Sequence, residues 1–192
     1  MKIYKEFKLK NGKKLIVRSV EPEDARAQLE NYKKKVSETP FLSRGVDDEF
    51  PTEEDFVEDS KWYNENEIAF SVVAVLDGKI VGSGHLDWYG SKKRFKHSGS
   101  LDMGILKDYW GLGIGGKIMQ TILEEAQKSG LEQVGLSVFR NNERAIALYE
   151  SFGFIVTGIE PRAVKYTDGT YDDELNMVKF FKEVDKDYSI DY

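Results

Sequence analysis

The sequence predicts an α+β fold built on one mixed sheet. Three observations carry this. Two β-rich runs within residues 69–89 flank Asp77-Gly78, the residue pair that a tight type I′ hairpin prefers. Downstream, Ile114, Ile118, Met119, Ile122, Leu123 and Ala126 recur at helical spacing. Between them, three antiparallel strands lead into a glycine-rich turn and then a helix, the order of a single-sheet α+β domain.

The elements follow in order. "KKLIVRSV" (13–20) alternates as a strand, and "EPEDARAQLENYKKK" reads as a helix, with Pro22 in its first turn and acids ahead of bases. Residues 37–51 read as a loop. "TEEDFVEDSKWYNEN" is a second helix, with Thr52 as N-cap and Asp55 three residues on. The hairpin of 69–89 is followed by the polar loop "GSKKRFK" (90–96) and a third meander strand, "HSGSLDMGIL" (97–106). After the glycine turn and its helix, Gly130 sits where a left-handed C-terminal cap belongs. "LEQVGLSVF" (131–139) is a buried strand, and "NNERAIALYESFGF" a short helix closed by Gly153. "GFIVTGIE" and "YDDELNMVKFF" form a last pair of strands around Asp168-Gly169. Residues 1–182 are expected to form the domain and 183–192 a polar tail or edge extension.

Composition bounds the function. The 192 residues fit one domain, and 40% apolar with 12% aromatic residues suffice for a core. With 28 basic against 34 acidic residues the net charge is −6, which argues against a protein whose main task is gripping nucleic acid. A polyamine or basic peptide suits such a surface, and solubility alone also accounts for it. No cysteine is present, so disulfides, thiolate nucleophiles and Cys-based zinc sites are excluded. His85 and His97 lie far apart in sequence without metal-binding spacing, and no metal is expected. The N-terminal segment is charged rather than apolar, and no run approaches the ~18 apolar residues of a membrane span, so a cytoplasmic protein without membrane partners is expected.

The stretch "GLGIGGK" (111–117) admits three functions. A dinucleotide fold requires an acid at the end of the next strand, which instead ends Leu136, Ser137, Val138, Phe139. A P-loop requires Ser or Thr after Lys117, and residue 118 is Ile. The third needs only what all share: backbone N–H groups at a helix mouth, reinforced by the helix dipole, holding an anion without metal.

A second segment discriminates among them. With "DYWGLGIGGKIM" (108–119), "LSVFRNNERAIALYESFGF" (136–154) strongly resembles the GNAT superfamily of N-acetyltransferases. That family's Q/R-x-x-G-x-G/A loop maps onto Trp110, Gly111, Leu112, Gly113, Ile114 and Gly115. Its second motif maps onto Val138, Asn142, Ala145, Leu148, Tyr149, Gly153 and Phe154. The resemblance implies a GNAT fold: a mostly antiparallel mixed sheet of about six or seven strands with helices on both faces. It implies acetyl-CoA as cosubstrate, its diphosphate on Gly111, Leu112, Gly113, Ile114, Gly115 and Gly116. The pantetheine would run along Met103, Gly104 and Ile105 in the wedge between the strands at 97–106 and 131–139. It further implies that Asn142 contacts the cofactor while capping its helix, and that many relatives pair through outer strands, so a homodimer is the expected assembly.

Acetyl transfer to an amine needs a neutral amine, a polarised carbonyl and a proton for the leaving thiolate. By resemblance, Tyr149 is the general acid in a direct attack within a ternary complex, although its helical spacing also suits a core aromatic. The acceptor is a primary amine: a small molecule, a polyamine or a protein N-terminus. Two departures matter. Trp110 stands where the family usually carries Gln or Arg, a contact Lys117 would partly replace, and Ser137 stands where some members carry a Glu as general base. Asp102, His85, Asp87 and Glu174 are the candidate bases. "DWYGSKKRF" (87–95) and "RAVKYTDGTYDDE" (162–174) are expected beside the acceptor, with Tyr166 and Tyr171 as pocket walls and Asp172 to Glu174 as cation attractors, or as plain hairpin tips. The alternatives are a non-catalytic CoA-binding sensor or scaffold with this fold, and a nucleotide-binding protein using the same loop.

Overall fold

The structure is a computed structural model that describes residues 2–88, 90 and 92–192; Tyr89 and Ser91, expected in the second hairpin strand and the loop after it, lie outside the described residues. The chain forms two compact units, Met1–Asp87 with Asp102–Glu125, and Trp88–Leu101 with Ala126–Tyr192.

The first unit is built on an antiparallel meander, β1 (Tyr4–Lys8), β2 (Lys14–Ser19), β3 (Phe70–Leu76) and β4 (Lys79–Trp88), to which the second half of β5 (Ser98–Ile105) adds. Register runs Leu15↔Leu76 to Ser19↔Val72 between β2 and β3, and Phe70↔Leu86 to Leu76↔Lys79 between β3 and β4. The β3–β4 turn is the one the sequence predicts: Asp77 and Gly78 both have positive φ, 51° and 75°. β1 is a strand beyond those expected. Its outer positions, Tyr4, Glu6 and Lys8, are exposed and polar, so the period-2 signal is weak, yet Ile3 N–H bonds Ser19 Oγ and Lys5 pairs with Glu124 and Glu125.

Helices lie on both faces of this sheet. Helix α1 (Ala25–Glu38) begins after a 3-10 turn at Pro22–Asp24. There Arg18 grips Asp24 through two bonds of 2.6 and 2.8 Å. Burial alone would raise the Asp24 carboxyl, but the Arg18 guanidinium and the Glu21 amide hold it below its usual range. Helix α2 (Glu53–Glu65) starts at a reciprocal cap in which Asp55 N–H bonds Thr52 Oγ1 and the Asp55 carboxylate takes the Thr52 amide. Helix α3 (Ile114–Lys128) carries the predicted apolar stripe, with Ile114, Ile118, Met119, Ile122, Leu123 and Ala126 all buried.

In the second unit, β5 runs parallel to β6 (Gln133–Phe139) through Ser98–Ser100 only, and β6 pairs antiparallel with β8 (Tyr171–Phe180). β7 (Ile155–Lys165) is the outer partner of β8, giving the order β5-β6-β8-β7. Helix α4 (Glu143–Ser151) follows β6 and ends before Gly153, whose φ is 81°. The C-terminal residues bond within this unit: Ile190 N–H to the Val156 carbonyl, and Tyr192 to Glu150. Eight strands among the described residues, mostly antiparallel, give the α+β fold expected, with one strand more than counted from sequence.

Candidate active site

In the first unit, β5 ends by bonding the Leu106 amide to the Val81 carbonyl, and a 3-10 turn at Lys107–Tyr109 leads to the glycines. α1 pins this turn: Glu38 accepts the Lys107 amide at 2.8 Å and Lys34 pairs with Asp108 at 2.8 Å. Trp110, which departs from the family pattern, donates its indole N–H to the Ile105 carbonyl at 2.9 Å. It therefore ties the glycine turn back to the strand before it.

Gly111 and Gly113 have φ of 79° and 83°, and a Cβ at either would meet nothing within 4 Å. Glycine is needed there for conformation, since the space is open. The turn delivers the chain to Ile114 at the head of α3. The first amides of such a helix have no intrahelical acceptor, and the dipole's positive end faces the same way. Gly115 and Gly116 fall in that first turn. Lys117 points its ammonium at Gln120 Oε1, 3.1 Å away, and over the Phe7 ring at 5.0 Å.

The two faces of β4 differ. Gly84 lies against α3, where a Cβ would come within 2.9 Å of both Ile118 and Ile122. Ser83, His85 and Asp87 alternate with it and face the other helices. Lys35 of α1 bonds Ser83 Oγ at 3.1 Å and packs against Gly104, whose Cβ would lie 3.2–3.3 Å from the lysine side chain. Burial pushes the Lys35 amine down to about 8, with Asp102 partly opposing. Tyr63 of α2 donates to Asp87 Oδ1 at 2.8 Å, its ring lies 5.8 Å from that of His85, and His85 Nε2 is 3.7 Å from Asp87 Oδ2. Burial and the Asp87 hydrogen bond push the Tyr63 phenol far up, so it remains a donor. Asp59 is raised by burial and then by neighbouring carboxylates, with His85 pulling the other way.

The second unit holds the other predicted residues. Asn142 caps α4, its side-chain oxygen accepting the Ala145 amide at 3.3 Å. Tyr149, on the same helix, is 8% exposed, with its ring 6.0 Å from that of Phe154. Ser137 donates to Asn176 at 3.0 Å. Asp172 is buried and takes the Tyr166 hydroxyl and the Asn141 amide, while Asp173 pairs with Arg140 at 2.9 Å. Glu174 lies opposite Glu160 in the β7–β8 ladder, and burial followed by that neighbour raises its carboxyl. Arg162, at φ 56°, stacks its guanidinium 3.9 Å over the exposed Tyr171 ring.

The predicted residues thus divide: Met103, Gly104, Ile105, the glycine turn, Asp102, His85 and Asp87 fall in the first unit, and Asn142, Tyr149, Ser137 and Glu174 in the second. Sequence reading missed Tyr63 and Lys35. Neither belongs to a motif, and Lys35 is the kind of residue expected on the solvent face of a helix.

Residues 34–154, well over half of the chain, match the family model for acetyltransferases of the GNAT family. The chain belongs to that family. Among solved structures, a GNAT-family acetyltransferase from Streptococcus pneumoniae superposes with a TM-score of 0.83 at 30% identity, over 87% of this chain and 99% of that one. A phosphinothricin acetyltransferase from Sinorhizobium meliloti, in complex with acetyl-CoA, shares the fold at TM-score 0.74 and 17% identity, over 91% of this chain and 89% of that one. The [ribosomal protein bS18]-alanine N-acetyltransferase of Escherichia coli strain K12 is 37% identical over 72 residues, 38% of this chain and 49% of that protein. The chain spans less than two-thirds of the length of the curated relatives it matches. Among the described residues, no helix is long and apolar enough to cross a membrane.

Proposed function

We propose that this protein is an acetyl-CoA-dependent N-acetyltransferase of the cytoplasm that moves acetyl to a primary amine by direct attack in a ternary complex. The carrying observation is the glycine turn: two exposed left-handed glycines at the mouth of a 15-residue helix, with open space where side chains would stand. That geometry fits a diphosphate, which the amides of Gly111 to Gly116 would hold. The main chain of Met103, Gly104 and Ile105 would take the pantetheine as an added strand, and Asn142 would contact the cofactor. When bound, acetyl-CoA supplies an activated acyl carbon. Tyr149 would give its phenolic proton to the departing thiolate. Family membership and the names of the relatives support the same activity.

The test combines binding with turnover. Acetyl-CoA should raise the melting temperature, and an amine panel should include acceptors that release CoA thiol to a colour reagent, undisturbed because the chain has no cysteine. Tyr149→Phe should lower kcat by about 100-fold or more with the melting temperature held, the range of general acid–base effects. CoA binding without release from any amine would instead favour a sensor or scaffold. Unchanged turnover in Tyr149→Phe would remove the acid assignment.

A further inference from the structure

Pleating divides β4 into an apolar face toward α3 and a polar face carrying Ser83, His85 and Asp87. α2 brings a tyrosine to the polar face. The Tyr63 hydroxyl occupies Asp87 Oδ1 at 2.8 Å, which leaves Oδ2 turned toward His85 Nε2 at 3.7 Å. That distance is too long for a hydrogen bond but within ion-pair range once the imidazole is charged. The Tyr63 ring packs 5.8 Å from the imidazole at 40°. Side chains 85 and 87 nonetheless remain 37% and 46% exposed, so a solute can reach the ring. Asp87 is therefore fixed by a donor that never ionises in the working range, and its second oxygen faces the imidazole. A neutral imidazole that keeps its proton on Nε2, toward Asp87, offers the Nδ1 lone pair.

We propose that His85 is the base that takes a proton from the acceptor ammonium, with Asp87 and Tyr63 as its positioning residues. This rests on the acetyltransferase reading. An amine arrives at neutral pH as an ammonium, and the surroundings suit one. Asp59 of α2, Asp87 of β4 and Asp102 of β5 act on this face, while Lys35 of α1, the cation set into it, is buried against Ser83 and Gly104. Protons and bonds balance. The ammonium gives one proton to His85 Nδ1, which passes it to water. The free amine then forms the C–N bond as the C–S bond breaks. The thiolate takes a proton from Tyr149, and the second amine proton restores that phenol. The net products are an amide, free CoA thiol and one proton.

β4 adjoins the strand proposed to carry the pantetheine. Gly84 sits beside the Asp102 carbonyl and Gly82 beside that of Gly104, at 3.1 and 2.9 Å from where a Cβ would lie. The base would thus stand on the strand next to the thioester's track.

The experiment is a pH profile of kcat/KM on the full chain, with an acceptor found in the amine panel. In the parent, log kcat/KM should climb with unit slope on the acid side, because a base works only when deprotonated. His85→Gln should lose that limb and fall about 100-fold or more near pH 7, with the acetyl-CoA-induced rise in melting temperature retained. Asp87→Asn should lower kcat with the melting temperature held, since it removes the carboxylate that faces the imidazole. Tyr63→Phe should lower kcat with KM for the amine held. His97→Gln, on an exposed site of the second unit, should keep the parent profile. A His85→Gln enzyme with the parent's acid limb and a rate within about threefold of the parent, far short of a general-base effect, overturns the proposal while leaving the acetyltransferase standing. Failure of the parent to acetylate any amine overturns both.

Discussion

Helices α1 and α3 pack on opposite faces of β4 with opposite chemistry. α3 meets the Gly84 face with apolar side chains, and Ile118, Met119 and Ile122 are fully covered. α1 buries Ala25, Gln28, Asn31, Lys35 and Val36, three of them polar. One helix acts as a hydrophobic wedge, and its N-terminus carries the glycine turn proposed to hold the diphosphate. The other gives up stability to bring polar groups beneath the strand pair at the proposed acceptor side. Such a concession is usual near a functional site, where local rules of burial are broken and the rest of the fold compensates.

The largest effect tests the wedge. Ile122→Ala should destabilise by about 3–4 kcal/mol, since it deletes a fully buried branched chain beside Gly84, where little can collapse into the gap. Thermal unfolding should show a drop on the order of 10 °C for a chain of this size. A drop of only about a degree or two would mean that α3 is not the unit's main anchor.

The next tests the concession. Lys35→Met should stabilise the protein at pH 7 by about 1–2 kcal/mol. A buried charge is replaced by an apolar chain of similar length, offset by the unpaired Ser83 hydroxyl. The sign follows from the depressed amine, about 8 in the folded chain against 10.5 for a lysine in water. Below pH 8 both folded and unfolded chains carry the proton, and the full burial cost is present. Between about 8 and 10.5 the unfolded chain binds the extra proton, so parent stability rises with pH there. The advantage of the methionine variant should therefore be greatest below pH 8 and fade toward 10.5. Denaturant midpoints across that window would show it, and an advantage independent of pH would contradict the buried charge.

The same contrast explains what could be read from sequence. α3 was legible because its inner stripe is apolar and periodic, and the glycine turn because positive φ leaves a compositional mark. The Asp77-Gly78 turn was legible for the same reason. α1 was legible as a helix but not in its buried face. Leu29 and Tyr32 look like the inner stripe, yet both are only half-buried while Gln28, Asn31 and Lys35 are covered. Burial of polar groups is decided by partners distant in sequence, and those leave no local pattern. Tyr63 and Asp87 meet across 24 positions for the same reason. The N-terminal strand β1 was hidden by its polar outer face. For Tyr149, spacing alone fits a core aromatic as well as an acid, and the acid role rests on the resemblance alone.

The smallest predicted effects sharpen the comparison within α1 itself. Asn31 spends its amide on the Ile80 carbonyl at 2.9 Å, whereas Gln28 Nε2 is buried with no partner among the described residues. If α1's polar face were merely tolerated, truncating either residue would have similar consequences. If each group is valued by its bond, the signs must differ. Asn31→Ala should cost about 1–2 kcal/mol, because it strips a part-buried carbonyl of its donor. Gln28→Met should gain up to about 1 kcal/mol, since it removes an unsatisfied amide at nearly constant volume. Chemical denaturation of the two variants would separate these outcomes. A loss at Gln28 equal to that at Asn31 would show that the Gln28 amide has a bonded role in solution, and would make α1 a fully satisfied polar helix rather than a partly frustrated one.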